Sequence, residues 1–139
     1  MDPLIVERKL DSLYHCIRRV QDKCPADVAS LMTDPDLQDV IVLNLSRAVQ
    51  LCVDLAAHLL ADLNQPPPNT MGEAFDYLRD AKIISPELAQ TLRKSVGFRN
   101  LAVHNYDNLN WAIVHAIATR HLPDFKAFAI AIAEKLPPS

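Results

Sequence analysis

The chain has 139 residues, of which half are apolar, 6% are aromatic and only two are glycine, Gly72 and Gly97. A single domain over residues 1–139 with its own core is expected. So little glycine argues against a turn-rich β fold and against a glycine-rich phosphate loop. A formal charge of −3 and a pI near 5.9 suit a nonspecific nucleic-acid binder poorly, because such a protein gains affinity by displacing counterions from phosphates. An RNA surface on this chain would have to be a local basic patch or a composite of two subunits.

Asp2-Pro3 opens the first helix, a capping side chain followed by a residue that needs no amide hydrogen. Leu10, Leu13, Tyr14, Ile17 and Val20 then recur every three or four residues as one apolar stripe, which ends near Pro25. A short helical turn is expected from Val28 to Met32. Asp34-Pro35 repeats the start signal for a long second stripe through Leu37, Val40, Ile41, Ala48, Leu51, Cys52, Leu55 and Leu59. Leu43 and Leu45 widen it, so this helix is expected to be central. Asn44, Arg47, Asp54 and His58 interrupt it, which reads as a core helix and not a membrane span. Pro66-Pro67-Pro68 ends it.

Thr70-Met71-Gly72-Glu73 has the form of a reciprocal capping box ahead of a short helix with Ala74, Phe75, Leu78 and Ala81. Ser85-Pro86 starts the next helix, with Leu88, Ala89, Leu92, Val96 and Val103 as its apolar positions. Asp107, Asn108 and Asn110 form a polar turn. A last helix is expected from Trp111 to Leu136, kinked before Pro123, with Val114, Ala118, Leu122, Phe125, Ala129, Ile132 and Leu136 inward. The expected fold class is all-α, an antiparallel bundle of about five main helices.

Cys16, Cys24 and Cys52 are odd in number and form no Cys-x-x-Cys pair, which suits reduced cysteines in a cytoplasmic protein. No secretory signal is read in MDPLIVERKLD. His15, Cys16 and Cys24 fit no zinc spacing, and no metal or other cofactor is expected. Asp54 and His58 can meet on one helix face. His115 and His121 fall on opposite sides of the last helix and are expected at the surface or in a groove. Trp111 and Phe125 are expected in the core or at a subunit contact.

The segment with chemistry is Arg99-Asn100-Leu101-Ala102-Val103-His104-Asn105-Tyr106. Asn100 lies one helical turn below His104 and can orient its imidazole. Arg99 and Tyr106 share a face if the helix continues, whereas Arg99 and His104 stand about 140° apart round the axis. Fraying of the helix end or a second subunit would have to bring those two together. Histidine titrates near neutrality and serves as acid or base, and arginine grips phosphate oxygens with two donors. That pair suits RNA cleavage through the 2′-hydroxyl, which needs a proton acceptor, a proton donor and a stabiliser of negative charge. The same residue types are also common as a solvated, dipole-favoured helix end.

RNLAVHNY resembles the Arg-x4–6-His-x-Tyr signature of HEPN domains, in the HepT-like branch. IVLNLSRAVQLCVDLAAHLL is similar to the long second helix of that family, and NLNWAIVHAIATRHLPDFKAF to its last helix. The resemblance implies a metal-independent endoribonuclease toxin with Arg99 and His104 essential and Asn100 supporting. It also implies a homodimer whose two motifs face a shared cleft. The implied partner is an MntA-type nucleotidyltransferase antitoxin that transfers AMP to Tyr106. Two other readings stay open: a non-catalytic helical substrate- or nucleotide-binding subunit of a two-component nucleotidyltransferase, which the acidic pI suits better, and a structural partner whose assembly alone is controlled by Tyr106 modification.

Overall fold

A computed structural model describes residues 1–137; Pro138 and Ser139 of the expected domain lie outside the described residues. The fold is built from seven α-helices: α1 (Pro3–Lys23), α2 (Val28–Met32), α3 (Pro35–Asp62), α4 (Met71–Asp80), α5 (Pro86–His104), α6 (Trp111–Arg120) and α7 (Leu122–Ala133). One turn of 3-10 helix, Tyr106–Asn108, follows α5. No strand occurs among the described residues.

The helix starts are set by the residues that announce them. The Asp2 carboxylate accepts from the Leu4 amide at 3.0 Å, and that of Asp34 from the Leu37 amide at 3.1 Å. The Ser85 hydroxyl accepts from the Leu88 amide at 3.1 Å, and the Thr70 hydroxyl from the Glu73 amide at 3.2 Å. Each such cap stabilises its helix by about 1 kcal/mol. The box at Thr70 is not reciprocal, because the Glu73 carboxylate instead accepts from the Tyr77 hydroxyl one turn further on.

α3 is the centre. Among the described residues it alone is long and apolar enough to cross a membrane, yet it is enclosed by helices of its own chain. It packs most extensively on α1, with α4, α5 and α7 completing the enclosure. Its buried positions run from Ile41 to Leu60 and include Leu45, Ala48, Cys52, Leu55 and Ala56. Phe75 of α4 and Phe128 of α7 meet edge to face with centroids 5.7 Å apart, both fully buried. Two of the buried polar side chains are satisfied within their own helices. The Asn44 amide donates to the Val40 carbonyl at 2.8 Å, and the Ser95 hydroxyl donates to the Leu92 carbonyl at 2.6 Å.

Several expectations are corrected. The expected last helix is two, α6 and α7, with His121 as the joint. Pro123 has no amide hydrogen and its ring crowds the preceding turn, so the interruption falls just before it, where the kink is expected, and divides the helix in two. Leu136 lies past the end of α7 and is half-buried. Leu43 and Val103 do not join the core; they are 51% and 53% exposed. His115 is buried, with its Nε2 2.9 Å from the Pro25 carbonyl, tying α6 to the loop after α1. Asp54 does not meet His58: it accepts from Gln50 at 2.9 Å and from Lys9 at 3.5 Å.

The two glycines have different reasons. A side chain at Gly72 would come within 3.0 Å of Arg93 Cγ, so its bareness lets the Arg93 stem cross the start of α4. Arg93 then pairs with Asp76, which also accepts from Arg79. At Gly97, inside α5, an added Cβ would meet nothing within 4 Å. Gly97→Ala is therefore expected to raise stability by about 1 kcal/mol, the helix-propensity difference, in equilibrium urea unfolding. A loss of stability would mean that something outside the chain's own fold closes over this turn.

Candidate active site at the end of α5

α5 is held inward by Ala89, Leu92, Ser95, Val96 and Phe98, and its opposite side is open. Packing therefore fixes which way Arg99 to His104 project without covering them. Arg99 is half-buried, and Asn100 and His104 are exposed. The Arg99 guanidinium donates to the Asn100 carbonyl oxygen at 3.2 Å. Asn100 thus supports the arginine, and among the described residues His104 has no side-chain hydrogen bond of the kind expected from Asn100.

α5 remains helical through His104, and Asn105 leaves the helix with φ −153° and ψ 58°. Two consequences follow. Fraying does not bring Arg99 and His104 together, so they keep the separation of about 140° that regular helix geometry dictates. Tyr106 is not on α5 at all, so it does not share a helix face with Arg99. It opens the 3-10 turn, where the Leu109 amide donates to its carbonyl at 3.0 Å. His104, as the last helical residue, sits where the helix dipole favours positive charge.

Tyr106 turns toward α3. Its hydroxyl donates to Asp39 Oδ1 at 2.8 Å, and its ring meets Trp111 edge to face at 5.9 Å. Burial, then the Asp39 hydrogen bond and the charges of Asp39 and Asp107, push the phenol well above its ordinary ionisation range. The hydroxyl is neutral and hydrogen-bonded near pH 7. Asp39 is the residue that motif reading misses, because it lies 67 residues away in sequence. No local signal marks it, because it lies in the second turn of α3, past the first-turn place where the helix dipole favours an acidic side chain.

Beside the motif runs a groove of about 410 Å³ between α5 and α6–α7, floored by Phe98, Leu101, Ile113 and Ile117 and edged by Lys94 and His121. The His121 imidazole pairs with Asp124 at 2.9 Å. Around this end of the molecule Leu43, Leu101, Val103 and Ile113 expose 51%, 37%, 53% and 57% of their surface. Of the cations on α5, Arg93 is paired with Asp76, whereas Lys94 and Arg99 have no acidic partner among the described residues. No three His, Cys, Asp or Glu side chains gather as a metal site among the described residues. The three cysteines are free.

The Ribonuclease HepT-like family model matches residues 13–132. The chain is 35% identical over 124 residues to the mRNA nuclease HepT of Shewanella oneidensis, covering 89% of this chain and 92% of that protein. It is 26% identical over 110 residues to the tRNA nuclease HepT of Aphanizomenon flos-aquae, covering 79% and 75%. Among solved structures it superposes with a TM-score of 0.88, at 32% identity and over 97% of this chain and 99% of the other, on the tri-AMPylated Shewanella oneidensis HEPN toxin in complex with an MNT antitoxin. The all-helical fold and the residues matched along nearly the whole chain place it in one group: this chain belongs to the Ribonuclease HepT-like family.

Proposed function

We propose that this chain is the toxin of a toxin–antitoxin module, a metal-independent endoribonuclease of the cytoplasm. Its antitoxin is an MntA-type nucleotidyltransferase that silences it by transferring AMP to Tyr106. One observation carries the reading: the end of α5 and the turn after it hold Arg99, His104 and Tyr106 at one end of the bundle, with His104 exposed and Arg99 and Tyr106 only half-buried. The nuclease names of the two relatives and the AMPylated state of the Shewanella toxin support the same reading.

Arg99 holds the scissile phosphate through its paired N–H donors and stabilises the charge that builds there. His104 relays protons, taking one from the attacking 2′-hydroxyl or giving one to the leaving 5′-oxygen. The substrate is RNA, since the attacking group is the 2′-hydroxyl. Asn100 keeps the guanidinium in place through the bond already described. AMP on Tyr106 adds a negative charge beside this site and repels an RNA backbone.

The angular separation of Arg99 and His104 points to two protomers. In a homodimer that buries Leu101, Val103 and Ile113, the arginine of one motif can complete the histidine of the other. Exposed apolar side chains clustered around a motif are what such a contact requires. A composite surface also answers the acidic overall charge, because it brings Lys94 and Arg99 of both copies to one cleft.

Expression of the wild-type chain without its partner is expected to arrest growth, and Arg99→Ala or His104→Ala to relieve the arrest. In vitro, each variant should cleave RNA in the presence of chelator at least about 10²-fold more slowly than the parent. Two variants as toxic as the parent would refute the assignment, and no cleavage by the wild type at any protein concentration would favour the non-catalytic binding subunit. Ile113→Asp, which places a charge in the proposed contact, is expected to turn a dimer into a monomer in light scattering and to remove cleavage with it. An unchanged mass would put the dimer face elsewhere.

A further inference from the structure

We propose that Asp39 is the proton acceptor for AMP transfer to Tyr106, acting through the direct hydrogen bond between its carboxylate and the Tyr106 hydroxyl. The inference rests on the reading of Tyr106 as the acceptor of AMP.

A phenol attacks a phosphate poorly while it holds its proton, and this one holds it tightly. Burial and the neighbouring carboxylates keep the Tyr106 hydroxyl neutral. The proton must therefore leave during the transfer, to a group already in contact. The Asp39 carboxylate is 2.8 Å from the hydroxyl, within the range for a general base. It reaches Tyr106 from α3, while Trp111 of α6 borders the ring and Asp107 follows in the turn. His104, exposed at the end of α5, is the remaining nearby titratable group in the motif. Among the described residues, the Tyr106 hydroxyl makes its hydrogen bond to Asp39 alone.

The step balances without a further reagent beyond a nucleoside triphosphate. The phenolic oxygen bonds to the α-phosphorus, and the bond from that phosphorus to the bridging oxygen breaks. Pyrophosphate leaves with the electron pair, and the phenolic proton passes to Asp39. Asp39 is exposed, so the proton can go on to water.

Asparagine at 39 separates this role from a tether, because its amide oxygen can still accept the hydrogen bond but cannot take the proton. The measurement is the rate of label uptake from ATP labelled at the α-phosphate, with an MntA-type nucleotidyltransferase that labels the wild-type chain. Circular dichroism checks that each variant is helical. Asp39→Asn is expected to slow uptake about 10²-fold near pH 7. The deficit should shrink as the pH rises and the phenol loses its proton without help, and Asp39→Glu should recover part of the rate. Wild-type rate and pH profile in Asp39→Asn, with only Asp39→Ala slow, would make Asp39 a tether and overturn the proposal. Tyr106→Phe separates the two levels: if it still takes up label, the acceptor assignment itself is wrong, and the role of Asp39 falls with it.

Discussion

Enclosure of α3 is the constraint on which the other features depend. A helix of 28 residues is about 42 Å long. Its fully buried positions begin at Ile41, and its first turn and a half is covered only in part, by Leu37 against the core and by Gln38 bonded to the end of α2. Burying the rest fixes the angle and height of α5, which packs on it. The partly covered beginning of α3 is thereby brought to the place where α5 ends, as the Tyr106–Asp39 bond records. Asp39 on that stretch, and Leu43 one turn further on, reach the neighbourhood of the motif for this reason.

Much of the architecture was legible in the sequence because its signals are local. Asp2, Asp34, Thr70 and Ser85 each announce a helix, and each caps one. The misreadings arise where a contact is long-range or where periodicity has more than one meaning. Val103 and Leu43 fit apolar stripes, yet they face outward, and a stripe cannot distinguish a core from an unpartnered contact face. Sequence spacing puts His115 at the surface or in a groove because its partner, the Pro25 carbonyl, is 90 residues distant. The division at His121 follows from Pro123, whose position predicts a kink and which divides the helix at one residue.

The candidate site divides along the same line. Arg99, Asn100, His104 and Tyr106 lie within eight consecutive residues, so their types and spacing, read together with the resemblance of that segment to the HEPN signature, single them out. Their geometry was less legible. Extending the helix to Tyr106 put the tyrosine on the arginine's face, whereas Asn105 ends the helix and turns the ring toward α3. Asn100 was assigned to the histidine and instead holds the arginine. Spacing along an ideal helix describes directions only while the helix lasts, and the motif straddles its end.

The bond from Tyr106 to Asp39 also has a mechanical side. It is a strut between the 3-10 turn and the start of α3, made by a hydrogen that an esterified phenol no longer owns. If AMP goes to Tyr106 as proposed, the phosphodiester would sever the strut in the same act that marks the tyrosine, and set its own negative charge against the carboxylate that had held it. On that reading the modified ring would have lost the contact that draws it toward α3, and only its edge-to-face packing on Trp111 would still hold it to the bundle.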